Sequence, residues 1–182
     1  MQFLSAQPAQ YAAIQDLFLQ TFSDSEGAEE GQLIGGLVQR LLADTPADDL
    51  RVHLASDNAV LVGGIIWSRL RFEAADAPLT FLMAPVAVRT DQQGKGVGQA
   101  LIQWGLQRMQ SEGVQLALTY GDPHFYGRVG FQAISTAQVP APLTLSHPEG
   151  WLGQLLNGES LEALQITGAS RCVEAFDDGR FW

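Results

Sequence analysis

Cysteine is almost absent from this chain of 182 residues, which contains a single one, Cys172. One cysteine cannot close an internal disulfide and cannot build a metal site from several thiolates. Long apolar runs are also lacking, and the longest, residues 59–67, is far too short to cross a bilayer. The first residues have neither the basic start nor the apolar core of a secretory signal. These absences predict a soluble cytoplasmic protein without a membrane partner.

Basic residues are scarce as well, since ten Lys and Arg face twenty Asp and Glu, for a net charge of −10. Such a chain repels the phosphate backbone, so nucleic acid is not an expected partner. The acidity favours solubility, and attraction of a cationic amine substrate is a second interpretation. Hydrophobic residues at 46% and charged residues at 16% indicate an ordinary globular chain. We expect residues 1–140 to form the core and residues 141–182 to add C-terminal strands that complete or extend the same domain.

The apolar spacing predicts two helices first, around residues 11–22 and 33–42, with a polar acidic loop at residues 23–31 between them. Strands follow at residues 50–54, 59–72 and 79–89, the last interrupted at Pro85. A helix after a glycine-rich turn, a strand at residues 114–120, a short helix and a strand from Phe131 complete the core. Further strands are expected within residues 143–145, 161–166 and 171–176. Because no helices separate the first three strands, this order predicts an α/β fold with a mixed sheet, not a doubly wound parallel one.

The glycine-rich turn is Gln93-Gly94-Lys95-Gly96-Val97-Gly98, between a predicted strand and a predicted helix. A P-loop needs Gly-Lys followed by Ser or Thr, which Lys95-Gly96 does not provide. A dinucleotide fingerprint needs a further glycine or alanine, but Gln99 and Leu101 occupy the two possible positions. The pattern that remains is Gln-x-x-Gly-x-Gly.

A helix N-terminus has unpaired backbone N–H groups and partial positive charge, and glycines let a diphosphate approach them. Lys95 can add a cation near the phosphates. The alternative is that these glycines only make a tight strand-to-helix turn, and the turn alone does not identify a cofactor.

A second motif follows about thirty residues later, in Tyr126-Gly127-Arg128-Val129-Gly130-Phe131. Gln-x-x-Gly-x-Gly followed, one helix and one strand later, by Tyr-x-x-x-Gly-Phe resembles the GNAT superfamily of acetyl-CoA-dependent N-acetyltransferases, and in particular its YhbS-type branch. The strand with Pro85 and the Gly-Asp-Pro that precedes the second motif are similar to that branch too. The resemblance implies a mixed, mostly antiparallel sheet with a splayed strand pair and flanking helices.

The resemblance also implies the reaction, which is transfer of an acetyl group from acetyl-CoA to a primary amine, with no metal. It assigns Tyr126 as the proton donor to the departing thiolate, and the acidic loop as part of the acceptor site. Glu30, which opens the second helix, is our choice of general base. Asp122 is expected to cap the short helix. The predicted cofactor-binding residues are Val86, Ala87, Val88, Gln93, Gly94, Lys95, Gly96, Val97, Gly98, Gln99, Pro123 and Tyr126.

Cys172 has no catalytic histidine in view, so direct transfer in a ternary complex is expected instead of an acyl-cysteine intermediate. The alternatives are a non-catalytic acyl-CoA-binding regulatory domain and, more distantly, a nucleotide-binding module. The acceptor is a small-molecule or peptide amine that the sequence does not identify. Homodimers are common in the superfamily, and the oligomeric state stays open.

Overall fold

The computed structural model of the protein describes residues 1–182. The four α-helices are α1 (Tyr11–Glu26), α2 (Ala28–Asp44), α3 (Val97–Ser111) and α4 (Pro123–Tyr126). The eight strands are β1 (Gln2–Ser5), β2 (Leu50–Asp57), β3 (Val60–Phe72), β4 (Thr80–Val88), β5 (Leu116–Tyr120), β6 (Gln132–Ala133), β7 (Trp151–Leu155) and β8 (Ser170–Arg171).

The strands follow the order β1-β2-β3-β4-β5-β7-β6, and β8 pairs with β3. The β4/β5 pair is parallel, with Thr80 to Leu82 opposite Leu116 to Leu118, and both strands continue beyond this register. The pairs β1/β2, β5/β7, β6/β7 and β3/β8 are antiparallel. The predicted mixed, mostly antiparallel sheet is confirmed.

The chain divides into two compact units. The first comprises residues 1–67 and 84–105, and its helices α1 and α2 pack together. Their contact faces carry apolar side chains at helical spacing, as the sequence predicts. The fully or almost fully buried ones include Ile14, Leu17, Phe18, Ile34, Leu37, Val38 and Leu41.

The second unit comprises residues 68–83 and 106–182. Strand β7 lies between β5 and β6, so a neighbouring strand covers each of its edges. Its first three residues are buried. The indole of Trp151 donates to the Val139 carbonyl at 2.9 Å, and the indole of Trp182 donates to the Phe176 carbonyl at 2.8 Å. These bonds satisfy the two buried indoles and tie down the segments that follow β6 and β8.

The predicted acidic loop at residues 23–31 is wrong. Helix α1 continues to Glu26, a single residue, Gly27, separates the helices, and α2 begins at Ala28. Gly27 has φ of 102°, a backbone conformation that glycine adopts without steric cost. Polar residues such as Ser23 and Ser25 lower helix propensity only slightly, and the packing of α1 on α2 overrides that preference.

The strand predictions need three corrections. Strand β4 runs without interruption through Pro85, whose peptide bond to Ala84 is cis. Strand β1 was not predicted, because four residues are too few to show a periodicity. At the C-terminus the predicted strands are also wrong.

Residues 143–145 form no strand, and Leu161–Ala163 and Glu174–Phe176 are single 3₁₀ turns. Only β8 overlaps a predicted range, at Arg171. The missed strand β7 reads Trp-Leu-Gly-Gln-Leu and lacks alternation, because burial from both sides removes the polar positions of a half-exposed strand.

Candidate functional site

The glycine-rich turn lies in the first unit and connects β4 to α3. A single 3₁₀ turn, Thr90–Gln92, follows β4, and α3 begins at Val97. Between them Gly94 has φ of 70° and Gly96 has φ of 80°. Both values lie in the left-handed region, which costs a residue with a side chain roughly 1–2 kcal/mol. The backbone path therefore favours glycine at these two positions, whatever the turn binds.

The start of α3 presents backbone donors. Ala100 makes the first helical bond, from its N–H to the Gly96 carbonyl at 3.0 Å, so the N–H groups of Val97, Gly98 and Gln99 precede the helical ladder. A Cβ placed on Gly94 or Gly96 meets no atom within 4 Å. The turn thus leaves open space where side chains would otherwise stand, beside the positive end of a helix of fifteen residues. This geometry fits a diphosphate such as that of coenzyme A.

Two polar side chains brace this turn internally. The Gln93 amide donates to the Val88 carbonyl at 2.9 Å, which ties the turn to the end of β4. Lys95 Nζ donates to the Asp91 carbonyl at 2.7 Å and to Gln92 Oε1 at 3.3 Å, so its charge lies over the preceding 3₁₀ turn. The Gln93 side chain therefore contacts the strand backbone, and direct cofactor contact by Gln93 or Lys95 stays a prediction.

An exposed ion pair lies beside the turn. Arg89 Nε contacts Asp91 Oδ1 at 2.6 Å, and this hydrogen bond is the main reason that the pKa of Asp91 falls to about 2. Thr90 also donates from its hydroxyl to Asp24 Oδ2 at 2.7 Å. This bond connects the last turn of α1 to the segment that leads into the glycine-rich turn. Because Asp91 is neutralised by Arg89, Lys95 leaves the turn with a net positive charge.

The end of β4 alternates in exposure. Ala87 is buried, whereas Val86 and Val88 are half-buried on the other face of the strand. After the strand, the Arg89 N–H donates to the Val62 carbonyl of β3 at 2.9 Å. The pairing of residues 86–88 with the pantetheine arm stays a prediction.

Glu30 lies in the first turn of α2 and is half-buried, whereas its neighbours Glu26 and Glu29 are exposed. A carboxylate at a helix N-terminus is favoured by the helix dipole, which is an ordinary structural role. Glu30 differs from its acidic neighbours by its partial burial, and its role as general base stays a prediction.

Tyr126 lies in the second unit, at the end of α4. Asp122 Oδ1 accepts from the His124 N–H at 2.9 Å, so Asp122 caps this helix as the sequence predicts, and Pro123 occupies its first position. The Tyr126 ring makes edge-to-face contacts with Phe125 at 5.1 Å and Phe131 at 5.9 Å between centroids. The Gly-Phe of the motif therefore helps to hold the ring, because Phe131 packs against it.

The environment of the Tyr126 phenol keeps it protonated at neutral pH. Burial raises the pKa of the phenol, a hydrogen bond with Thr119 opposes that rise, and the negative charge of Asp122 adds to it. A protonated phenol can donate to a developing anion, which is the state a general acid requires.

The sequence predictions missed two residues around Tyr126. Thr119 is fully buried on β5, and its hydroxyl donates to the Met83 carbonyl at 2.9 Å. A Cβ on Gly121 would lie 2.8 Å from Tyr126 Cε2, so the ring occupies the space that a side chain would take. The one available signal was a threonine within the otherwise apolar and aromatic strand Leu-Ala-Leu-Thr-Tyr.

The structure thus gathers the predicted residues into two sets, one in each unit. Residues 86–99 and Glu30 belong to the first unit, and Pro123 and Tyr126 belong to the second. No group of three or more His, Cys, Asp or Glu side chains is placed to hold a metal ion. No helix combines the length and the apolar character that a membrane span would require.

Comparison with known proteins agrees with this geometry. Residues 48–133 match the family model described as an acetyltransferase (GNAT) domain. The crystal structure of the GNAT family N-acetyltransferase YhbS from Escherichia coli in complex with coenzyme A shares the fold, with a TM-score of 0.81 and 22% identity over 98% of this chain and 92% of that one. A GNAT family acetyltransferase from Brucella melitensis in complex with acetyl-CoA has a TM-score of 0.73 and 22% identity, over 97% of each chain.

A curated relative is nearer in sequence. The uncharacterized N-acetyltransferase YjhQ of Escherichia coli is 31% identical over 147 residues, which are 79% of this chain and 80% of YjhQ. Both motifs, at residues 93–98 and 126–131, lie within the matched family domain. The chain belongs to the GNAT family of acetyltransferases.

Proposed function

We propose that this protein transfers the acetyl group of acetyl-CoA to a primary amine, directly within a ternary complex. The observation that carries the proposal is the half-buried Tyr126 at the end of a capped helix, whose ring is held by Phe125, Phe131 and Gly121 and whose phenol has a raised pKa. Acyl transfer from a thioester requires a proton for the departing sulfur, and this phenol can supply it.

Cofactor binding is assigned to the turn before α3 and to the end of β4. The N–H groups of Val97, Gly98 and Gln99 would bind the pyrophosphate, since they precede the first helical bond. Gly94 and Gly96 would admit it, and Lys95 would turn from the Asp91 carbonyl towards it. Acetyl-CoA supplies the thioester whose carbonyl the amine attacks.

Proton transfer is assigned to two side chains. Glu30 removes a proton from the attacking amine, so that its nitrogen can form the new amide bond. Tyr126 gives its phenol proton to the sulfur as the carbon–sulfur bond breaks, so that coenzyme A leaves as a thiol. Exchange with solvent returns the proton from Glu30 and restores the phenol, which closes the cycle. The products are an N-acetylated amine and coenzyme A.

The test is release of coenzyme A, followed with a thiol reagent, against amino acids, polyamines, aminoglycosides and peptides with free N-termini. With an accepted amine, Tyr126→Phe should lower kcat by about 10²-fold or more, the range for loss of an acid-base group, and leave acetyl-CoA affinity largely intact. Glu30→Gln should lower kcat, whereas Glu29→Gln, at an exposed neighbour, should not.

Two results would count against the proposal. Unchanged turnover in Tyr126→Phe would remove this residue from proton donation. Binding of acetyl-CoA without thiol release across the whole amine panel would favour a non-catalytic acyl-CoA-binding domain.

A further inference from the structure

A hydrogen bond between two exposed side chains connects helix α1 to the segment before the glycine-rich turn. The Thr90 hydroxyl donates to Asp24 Oδ2 at 2.7 Å, a short distance that is typical of a hydroxyl bonded to a carboxylate. Asp24 lies in the last turn of α1, and Thr90 begins the 3₁₀ turn that follows β4 and contacts α1. Both residues belong to the first unit. The bond therefore joins two segments of that unit that are 66 residues apart in the chain.

Local preferences do not account for a carboxylate at this place in α1. Aspartate is a weak helix former, and the negative end of the helix dipole disfavours an acidic side chain in the last turn. That turn contains no basic residue to offset the charge, and Glu26 adds a second carboxylate to it. The bond to Thr90 is thus the favourable interaction that the structure gives to Asp24.

Helix α1 is a fixed support for this bond, because it packs closely on α2. A Cβ on the buried Gly31 of α2 would lie 1.9 Å from Ser23 Oγ and 2.7 Å from the Leu19 carbonyl oxygen. One turn later, a Cβ on Gly35 would lie 3.1 Å from Leu19 Cβ. A side chain at Gly31 would therefore force the two helices apart. Since Asp24 directly follows Ser23, the helix pair sets the position of its carboxylate.

The segment that Thr90 begins is shaped mainly by bonds within itself. Gln93 donates to the Val88 carbonyl, and Lys95 donates to the Asp91 carbonyl. These bonds give residues 88–95 a local shape, but they do not attach the 3₁₀ turn to a neighbouring element. The bond from Thr90 to α1 makes that attachment, six residues before the left-handed Gly96.

We infer that Asp24 is a positioning residue for cofactor binding, whose carboxylate holds Thr90 and thereby keeps the glycine-rich turn in the conformation that binds the pyrophosphate. The inference rests on the proposed function, which assigns the pyrophosphate to the N–H groups at the start of α3. A segment that is ordered before binding loses less entropy on binding, so affinity rises without contact between Asp24 and the cofactor.

Electrostatics alone predicts the opposite effect at Asp24. A carboxylate repels a diphosphate, so removal of its charge should strengthen acetyl-CoA binding if charge were its only influence. Removal of the support for Thr90 should weaken that binding. Glu26 is also exposed in the last turn of α1 and supplies the matched control for charge.

The test is acetyl-CoA affinity, measured by calorimetric titration of the full chain without an acceptor amine. Asp24→Ala and Thr90→Val should each weaken binding by about three- to tenfold, the range for loss of one exposed hydrogen bond. Thr90→Ser, which keeps the hydroxyl, should bind like the wild type, and Glu26→Ala should bind equally well or more tightly. Unchanged or tighter binding in Asp24→Ala would overturn the inference.

The double variant Asp24→Ala/Thr90→Val tests whether the two side chains act through one bond. It should bind acetyl-CoA about as weakly as either single variant, because the second change has no bond left to remove. Losses that multiply in the double variant would mean that the two residues act separately, which would also overturn the inference.

Hydrogen exchange of the cofactor-free protein separates positioning from a general loss of stability. In Asp24→Ala the amides of residues 90–98 should exchange faster than in the wild type, while those in the middle of α1 and α2 keep their rates. A lower Tm with unchanged exchange at residues 90–98 would assign Asp24 to stability alone and contradict the inference.

The cofactor assignment itself fails in a different way. If Gly96→Ala keeps normal acetyl-CoA affinity, the pyrophosphate does not bind at this turn. If Gly96→Ala weakens binding and Asp24→Ala does not, the turn binds the cofactor and only the role of Asp24 is wrong. Absence of thiol release with every amine would count against acetyl transfer and leave these binding results as they stand.

Discussion

The position of the Tyr126 ring is set by a neighbour without a side chain. Any Cβ at Gly121 would stand 2.8 Å from Cε2 of the ring, closer than non-bonded carbons approach. Phe125 and Phe131 contact the ring from other directions and limit how far it can move away. A change at Gly121 is therefore transmitted to the proposed proton donor without touching it chemically.

Gly121→Ala should displace the Tyr126 phenol and lower kcat by about 10- to 100-fold, since a misplacement near 1 Å costs that much in catalysis. The matched control is Gly127→Ala. Gly127 has φ of −59°, and a Cβ there meets nothing within 4 Å, so this variant should keep wild-type turnover. Steady-state release of coenzyme A measures both. Full activity in Gly121→Ala would show that the ring position does not control the reaction.

At this scale the sequence is informative about some residues and silent about others. Tyr126 and Asp122 could be predicted because a motif and a capping preference identify them locally. The burial of Thr119 could not, because its hydroxyl is satisfied by the Met83 carbonyl, 36 residues earlier in the chain. Contacts between distant segments leave no local pattern in one sequence.

A glycine with a left-handed backbone conformation lies just beyond each end of helix α3. Substitution of these two glycines is expected to have different consequences. Gly96 precedes the helix with φ of 80°, and Gly113 follows it with φ of 85°. A Cβ at either position meets no atom within 4 Å. The backbone cost of a side chain is thus nearly equal at the two ends, but only the N-terminal end presents free N–H groups to an anion.

Alanine at these two positions separates stability from cofactor binding. Gly96→Ala and Gly113→Ala should each cost about 1–2 kcal/mol, and lower Tm by about 2–4 °C for each kcal/mol. Only Gly96→Ala should also weaken acetyl-CoA binding, by about tenfold or more, since its methyl group enters the space assigned to the pyrophosphate. Calorimetric titration and thermal melts give the two readouts. Equal acetyl-CoA affinity in both variants would contradict the assignment of pyrophosphate binding to the turn before α3.

The elements that were predictable are those with a full period of apolar residues. Helices α1, α2 and α3 each carry several turns of one apolar face, and β2 and β3 are long enough to show β-rich composition. Strands β6 and β8 have two residues each, and β7 gains its strand structure from β5 and β6 on either side. Short or enclosed strands are specified by their partners, so a local pattern does not reveal them.

At the scale of the whole molecule, two short motifs identified the family, while the elements alone predicted only an α/β fold with a mixed sheet. The order of helices and strands is shared by many folds, but the two motifs at this spacing are specific to one chemistry. Acceptor choice has no equivalent signal, because it depends on the shape of several segments together. The amine must therefore be found by experiment.

The chain has one cysteine, and its environment makes it a poor nucleophile. Burial, with a smaller contribution from the charge of Asp177, raises the pKa of the Cys172 thiol to about 11. Near neutral pH almost all of it is therefore thiol, and only the thiolate attacks a thioester. An acyl-cysteine intermediate would need the opposite shift.

Cys172→Ser should therefore retain wild-type turnover, and initial velocities against acetyl-CoA and amine should give intersecting lines in both proteins. In the wild type, iodoacetamide should label Cys172 far more slowly than it labels free cysteine at pH 7.5, and the rate should climb as pH approaches 11. Mass spectrometry reads the labelling without ambiguity, because no other thiol is present. Parallel initial-velocity lines together with an inactive Cys172→Ser would replace direct transfer by a covalent route. Intersecting lines with an active serine variant would leave the attack on the thioester to the amine itself, and would be consistent with the proposal that Glu30 takes the amine proton and Tyr126 protonates the sulfur.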